Sequence, residues 1–253
     1  MHSNKKKFIV FSIPIFALII MACVAFFTDF LADKDITSIY KHVRTEEIRN
    51  NETPAQVLDS LKRGNSRFVN QEEREIDYGL IKSYAAIAGQ FPYATILSCM
   101  DSRSIPEILF NQPPGNLFVI RNAGNVVNTD VLASMEYANE YVGSKLIVVM
   151  GHTGCGAAKG ACSIKGTGHL VTLLEKFAPA INSAEETEVK NCTSDDFINN
   201  IVKQNVINQI QAIENQSPAL HKLIDNGTIM LVGAIHDLKT NKVTFFDADG
   251  KEL

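Results

Sequence analysis

The sequence predicts an α/β protein with a mostly parallel β-sheet, an antiparallel strand at one edge and helices on both faces. Short runs rich in β-branched or aromatic residues alternate with helical patterns, which is typical of strands joined by helical crossovers. The closing stretch HDLKTNKVTFF indicates a hairpin that turns at Thr240-Asn241, so the last strand should pair antiparallel. With 253 residues, 45% of them hydrophobic, the chain is long enough for one domain with a substantial core.

The elements are predicted in order along the chain. A helical pattern begins at Pro54 and places Val57, Leu58 and Leu61 on one side. The predicted strands are Tyr93–Cys99, Asn116–Arg121, Lys145–His152 and Thr228–Ile235, followed by the strand of the hairpin. The helices expected between them are Ser104–Phe110, Val131–Tyr141, a run from Cys155 towards Phe177, and Asn205–Ile213. The polar segment Asn182–Asp196 is expected to be a surface loop.

Two predictions concern helix ends. Ser104 and Glu107 have the spacing of a capping box, with Pro106 in the first turn, which predicts a helix start just after the motif DSR. Asn65, in the stretch RGNSRF, is expected to cap the end of the first helix.

The N-terminal 53 residues are expected to lie outside this domain. Phe8–Phe27 is uncharged and almost wholly apolar, long enough as a helix to cross roughly 30 Å of hydrocarbon. Lys5–Lys7 precede it, which favours export with the N-terminus in the cytoplasm. We predict a signal peptide or membrane anchor over residues 1–28, a tether over 29–53 and a single folded domain over 54–253.

Export would place the protein in the periplasm, either soluble after signal cleavage or attached to the inner membrane through residues 8–27. Cys23-Val24-Ala25 is a possible cleavage site, and Ile20–Cys23 is also similar to a lipoprotein motif, so the sequence leaves these forms open. The formal net charge of −4 and a pI near 5.9 argue against a nucleic-acid-binding protein, because Lys5–Lys7 is the only basic run.

The chain has five cysteines, and an exported protein can hold disulfides. Cys162 and Cys192 could pair or remain free thiols, and the sequence does not decide between them. Cys99 and Cys155 are candidates for a different role, because each occurs next to other residues that bind metals or carry charge.

Two short motifs place such residues at strand ends. ILSCMDSR ends a predicted strand at Cys99, and VMGHTGCGAAKG ends another at His152. Sites in open α/β sheets gather at the carboxyl ends of strands. His152 and Cys155 are three residues apart, so one turn can aim both side chains at one point.

A helix that begins between Gly154 and Gly156 would lower the pKa of the Cys155 thiol. Two cysteines and one histidine then form a three-ligand site for Zn²⁺ that leaves a fourth position for water. A buried core cysteine and a chance H-x-x-C pattern are the alternatives, and the combination of both motifs at strand ends favours the metal site.

These motifs, with several others, resemble the β-class carbonic anhydrases. The resemblance covers Pro54 to Leu253 and rests on LKRGNSRF, CMDSR, RNAGN (Arg121–Asn125), SMEYA (Ser134–Ala138), GHTGCGA and VGAIHDL, in this order. It implies a zinc lyase with a parallel sheet and an antiparallel edge strand. It also implies a homodimer or dimer of dimers, with N-terminal helices packing in the dimer and the active sites near the interface.

The resemblance also implies roles for individual residues. The implied zinc ligands are Cys99, His152 and Cys155, and the catalytic dyad is Asp101 with Arg103, where Asp101 is also a possible fourth ligand in a closed state. The implied substrate-binding groups are Gln90 as a hydrogen-bonding residue, Phe118 as an apolar wall and the Gly156 amide as an anion donor.

The implied reaction is the reversible hydration of CO2 to bicarbonate and a proton by zinc-bound hydroxide. Asp101 would accept the hydroxide proton in a hydrogen bond, and Arg103 would keep Asp101 ionised. Hydrolysis of CS2 or COS on the same fold, and a non-catalytic zinc-binding protein, are the alternatives; a thiol redox protein is disfavoured because the chain has no C-x-x-C motif.

RNAGN and His236 also have interpretations that involve no role in catalysis. RNAGN is either a tight glycine turn or a substrate contact. His236 stands where the family often has tyrosine, and we expect it to be structural.

Overall fold

The computed structural model describes residues 44–74, 76–163, 167–185 and 189–253. The predicted export segment and residues 29–43 of the predicted tether lie outside these ranges. No helix within the described ranges is both long and apolar enough to span a bilayer.

The strands are β1 (Ala94–Cys99), β2 (Leu117–Asn122), β3 (Leu146–His152), β4 (Met230–His236) and β5 (Val243–Phe246). The α-helices are α1 (Glu46–Asn51), α2 (Pro54–Val69), α3 (Tyr78–Ala88), α4 (Pro106–Leu109), α5 (Thr129–Glu136), α6 (Gly156–Ser163), α7 (His169–Glu175), α8 (Ala178–Glu185), α9 (Asp195–Gln216) and α10 (Pro218–Asp225).

The strands form one sheet in the order β2-β1-β3-β4-β5. The first four strands pair in parallel, and β5 pairs antiparallel with β4. The predicted α/β class with an antiparallel edge strand is therefore confirmed. Every residue of β1 and β3 is buried, which is expected of central parallel strands covered on both faces.

Alternate residues of the central strands pack into different cores. Ile96 and Val148 pack with Leu61 of α2 on one face of the sheet. Leu97 and Val149 pack on the other face, in a cluster that includes residues of α5, α9 and α10. The side-chain period of two along a strand thus gives each face its own layer of helices.

Residues 44–53 pack on this domain. The guanidinium carbon of Arg44 lies 4.1 Å from the centroid of the Tyr93 ring, and that of Arg49 lies 5.8 Å from the Phe91 ring. Cation–π contacts of this kind bring charged residues onto an apolar surface. Thr53 and Gln56 then form a capping box at the start of α2, in agreement with the predicted helix start.

The predicted capping box at Ser104 and Glu107 is wrong. Helix α4 begins at Pro106, Ile105 occupies the N-cap position, and no side chain caps the helix. The hydroxyl of Ser104 is instead hydrogen-bonded to Nδ1 of His236, at 3.1 Å. His236 is fully buried, which fits the structural role expected of it.

The prediction that Asn65 caps a helix end is also wrong. Asn65 lies inside α2 and is buried. Its amide donates to the carbonyls of Leu109 and Asn241, at 3.1 and 2.9 Å, and its oxygen accepts from the Val243 N–H at 2.8 Å. Asn65 therefore ties α2 to the end of α4 and to the hairpin.

The segment predicted as a surface loop, Asn182–Asp196, is helical at both ends. Helix α8 continues to Glu185, and α9 begins at Asp195 with Ser194 as its N-cap. Within this segment Cys192 forms a disulfide with Cys162 at the C-terminal end of α6. The structure thus chooses between the two possibilities that the sequence left open for this pair.

Candidate metal centre

Cys99, His152 and Cys155 come together at the carboxyl ends of β1 and β3. These strands are adjacent and parallel, so Cys99 and His152, the last residues of the two strands, lie at the same edge of the sheet. Cys155 follows three residues later, after a turn in which Gly154 has a φ of 66°. The two sulfurs and a ring nitrogen of His152 all lie within 4.8 Å of one another, and all three residues are buried.

The protonation of His152 leaves one nitrogen free for a metal. Its Nδ1 lies 3.0 Å from the carbonyl oxygen of Thr153, and only a protonated nitrogen can donate to a carbonyl. Nε2 is then the nitrogen with a lone pair, and it is buried without a hydrogen-bond partner among the described residues. Such an unpaired buried atom beside two thiols fits a metal ligand.

The donor set suits Zn²⁺. Two cysteine sulfurs and one imidazole nitrogen match the soft and borderline ligands that zinc prefers, and three protein ligands leave one position open. The predicted cluster of Cys99, His152 and Cys155 as possible metal ligands is therefore present in the structure.

The two thiols affect each other strongly. The pKa of Cys99 is lowered, chiefly because Cys155 donates a hydrogen bond to its sulfur, with a further hydrogen bond from the Gly124 N–H. The pKa of Cys155 is raised by the same contact and by burial, although the amides of Ala157 and Ala158 at the start of α6 oppose this. The predicted lowering by the helix start is therefore present but is outweighed, so the pKa of Cys155 is raised overall in the metal-free chain and Cys99 ionises first.

Asp101 and Arg103 form a bidentate ion pair next to this cluster. Arg103 Nε donates to Asp101 Oδ1 at 3.0 Å, and a terminal nitrogen donates to Oδ2 at 2.8 Å. The Arg103 side chain holds the pKa of the Asp101 carboxyl well below its usual range, so this carboxylate is ionised at neutral pH. Asp101 Oδ2 lies 3.9 Å from His152 Nε2, which places the carboxylate beside the ligand cluster.

Arg121, which the sequence analysis did not assign individually, fixes the loop that carries this pair. Its Nε donates to the carbonyl of Cys99 at 3.2 Å, and a terminal nitrogen donates to the carbonyl of Asp101 at 2.6 Å. The Ser104 N–H donates to the same Asp101 carbonyl at 3.0 Å. The signal in the sequence was the motif RNAGN, whose first residue is Arg121.

The three residues expected to bind substrate lie at different places. Gly156 is the exposed first residue of α6, directly after Cys155. Phe118 is half-buried in β2 and packs edge-on against Tyr137, with 6.4 Å between the ring centroids. Gln90 is exposed between α3 and β1. Their substrate-binding roles stay predictions.

Two cysteines and one histidine that could hold a metal ion, with a carboxylate–arginine pair beside them, form the kind of site that metal-dependent enzymes use. A sequence model of the family described as "Carbonic anhydrase" matches residues 94–243. Carbonic anhydrase 2 of Mycobacterium tuberculosis is 30% identical over 205 residues, covering 79% of this chain and 96% of the relative. The carbonic anhydrase of Pseudomonas aeruginosa is 34% identical over 185 residues, covering 69% and 81%.

A solved structure of a carbonic anhydrase has a similar fold. A structure described as one of two tetrameric β-carbonic anhydrases of Sordaria macrospora superposes with a TM-score of 0.60 at 24% identity, covering 76% of this chain and 95% of that one. The chain belongs to the carbonic anhydrase family, and its fold is that of the β class.

Zinc uptake by the metal-free protein should release about one proton from the thiol pair at pH 8–9. Cys99 is already a thiolate there and Cys155 still a thiol, so only Cys155 has a proton to lose. The apparent affinity should therefore fall about tenfold per unit as the pH is lowered through this range. Calorimetry in buffers of different ionisation enthalpy measures the number.

The variant Cys155→Ser tests whether Cys155 is a zinc ligand, because it removes the titrating thiol and one ligand. It should lose stoichiometric zinc in dialysis against a weak chelator, while Ser163→Ala at the other end of α6 should retain it. With excess azide present to replace the water at the metal, release of two protons by the wild-type protein would contradict the ionised state of Cys99.

Proposed function

We infer that the protein catalyses the reversible hydration of CO2 to bicarbonate and a proton. The observation that carries this inference is the ionised Asp101, held by Arg103 beside three residues that can bind zinc. Zinc, when bound by Cys99, His152 and Cys155, would acidify a water molecule in its remaining position, so that a nucleophile exists near neutral pH.

The protein groups around this position accept a proton and keep the accepting carboxylate in place. Asp101 can accept a proton in a hydrogen bond, but a free carboxylate this close could also turn towards the metal. Arg103 prevents this, because its fork and its backbone N–H occupy both carboxylate oxygens. Arg121 and Ser104 fix the backbone of Asp101, so the direction of the carboxylate is set before substrate arrives.

Arg103→Ala should retain zinc but lose most of its CO2 hydration activity, by ~10²-fold or more in kcat/KM, the range typical for loss of a positioned acid–base group. Without the guanidinium, Asp101 is free to take the fourth position at the metal. Asp101→Asn should also lose activity, but because its amide is a poor proton acceptor. Stopped-flow hydration assays with metal analysis measure both variants.

Azide binding separates the two causes. Asp101→Asn should still bind azide at the metal, while Arg103→Ala should resist it. Arg63→Ala, which removes an exposed arginine paired with Asp59 on α2, is the matched control and should behave as wild type. Near wild-type turnover by Arg103→Ala would refute the assigned role, and turnover of CS2 or COS without CO2 hydration would favour the alternative substrates.

We also propose that the active protein is a homodimer or a dimer of dimers in which the β2 side of the sheet lies in the interface. No described strand pairs with the outer edge of β2. A groove of about 470 Å³ between β2 and α5 is lined by Phe118, Ala133 and Tyr137, among others. Tyr137 and Tyr141 are 57% and 78% exposed, which is unusual for aromatic rings in a free surface.

Ala133→Arg should reduce the assembly to monomers, since it puts a charged side chain into this groove from an exposed position on α5. Gln211→Arg, an exposed site on α9, adds the same charge elsewhere and should leave the assembly unchanged. Light scattering coupled to size-exclusion chromatography measures the mass. A monomeric wild-type protein with full activity would refute the proposal.

We further propose that the protein works in the periplasm, exported through the apolar segment Phe8–Phe27. The preceding Lys5–Lys7 supports this orientation, and the Cys162–Cys192 disulfide supports an oxidising compartment. Cell fractionation of the full chain should find it outside the cytoplasm, with two of its thiols blocked against maleimide until reduction. Recovery in the cytoplasm with every thiol reactive would contradict export.

A further inference from the structure

We propose that Asn205 and Gln209 of α9 are positioning residues for the metal ligand Cys99, which they reach through the loop that follows β2. This inference rests on the proposed zinc site. It assigns the two buried amides the role of holding one backbone N–H, that of Gly124, against the ligand sulfur.

The hydrogen bonds form an unbroken path. The Gly124 N–H donates to Cys99 Sγ at 3.3 Å, and the Gly124 carbonyl accepts from Asn205 Nδ2 at 3.0 Å. Asn205 Oδ1 accepts from Gln209 Nε2 at 3.1 Å, and Gln209 Oε1 accepts from the Val127 N–H at 2.7 Å. The path begins and ends in the same loop, so α9 holds the segment from Gly124 to Val127 at both ends.

This path is shielded from water. Asn205 is 1% exposed and Gln209 is 7% exposed, and both lie on the face of α9 that is otherwise apolar. Burying two amides costs free energy unless their polar atoms are paired. Here each amide uses its donor and its acceptor within the loop and the path, so two positions suited to leucine or isoleucine carry polar side chains instead.

Gly124 is held from its other side by packing. It has a φ of 74°, in the region that favours glycine, and a Cβ at this position would lie 2.4 Å from Cζ of Phe177 and 3.1 Å from Cβ of Ala157. Phe177 is itself buried. Gly124 is therefore held between the Phe177 ring, which packs against its Cα, and the Asn205 amide, which binds its carbonyl, while its N–H points to the sulfur.

An N–H donor changes what a thiolate does as a ligand. It withdraws electron density from the sulfur and stabilises the thiolate form that binds a metal. Partners of ligands beyond the metal's own contacts typically change metal affinity by about 10–100-fold when they are removed. A purely architectural role for Asn205 would change the stability of the protein and leave the sulfur unaffected, so the two roles can be separated by experiment.

The test replaces Asn205 and measures the metal–sulfur bond directly. Asn205→Leu removes the donor to Gly124 and preserves approximate volume. We expect zinc affinity, measured by competition with a chromophoric chelator, to fall about 10–100-fold. In the cobalt-substituted protein the sulfur-to-metal charge-transfer band should move to longer wavelength, because a sulfur that has lost its N–H partner is a stronger donor.

Asn139→Leu is the matched control. Asn139 is an equally buried amide, bonded to Thr95 and to the carbonyl of Ser144, away from the metal cluster. It should lose stability to a similar degree but keep the wild-type zinc affinity and cobalt spectrum. A folded Asn205→Leu protein with wild-type affinity and spectrum would overturn the proposal.

Two further measurements test the proposal even if the Asn205→Leu protein fails to fold. Gln209→Met releases the far end of the path and should shift the cobalt band in the same direction by a smaller amount; an unshifted band counts against the proposal. In the wild-type protein loaded with ¹¹³Cd, the Gly124 amide proton should show scalar coupling to the metal through the sulfur, and absence of that coupling overturns it. All of these readouts are independent of CO2 turnover, so an inactive but metal-loaded wild type would refute the proposed function alone.

Discussion

The site depends on the parallel pairing of β1 with β3. In a parallel pair both strands point the same way, so their last residues, Cys99 and His152, meet at one edge although they are 53 positions apart in the chain. An antiparallel arrangement would send one of these ligands to the opposite side of the sheet. The burial of both strands along their full length in turn requires the two helical layers, and α9 of one layer supplies the amides that reach the ligand sulfur.

What could be predicted from the sequence was local. The strand-end motifs, the H-x-x-C spacing and the proximity of Asp101 to Arg103 are fixed within a few residues of chain, and the structure brings those residues together as expected. The failures concern side chains that had a distant alternative. Ser104 has the spacing of a cap, but His236, 132 positions later, occupies its hydroxyl; Asn65 bonds the hairpin, 176 positions away. Local spacing cannot show which partner a polar side chain finds in three dimensions.

Asn205 and Gln209 are a second example of polar side chains whose distant partner the sequence does not identify. They are four residues apart on a helix whose buried face is otherwise apolar, so the sequence contains a signal that something polar lies opposite. It does not identify Gly124 as that partner, because the carbonyl of a glycine in a loop carries no mark in the sequence. The same holds for Arg121. The sequence indicates the motif RNAGN, but only the folded chain shows that the Arg121 guanidinium binds the backbone carbonyls of Cys99 and Asp101.

The disulfide has a consequence for how an exported chain would mature. Any disulfide that includes Cys99 or Cys155 removes a metal ligand, so among the disulfides that Cys99, Cys155, Cys162 and Cys192 can form, only Cys162–Cys192 is compatible with metal binding. Cys155 directly precedes α6 and Cys162 lies near its C-terminal end, so a disulfide from Cys192 to Cys155 instead of Cys162 would remove a metal ligand. In the folded domain both metal ligands are almost inaccessible, which protects them from oxidants. If the chain is exported, the order of events would matter: the sheet would have to bury the two ligand thiols before they are oxidised, because a disulfide at either of them would block the metal site.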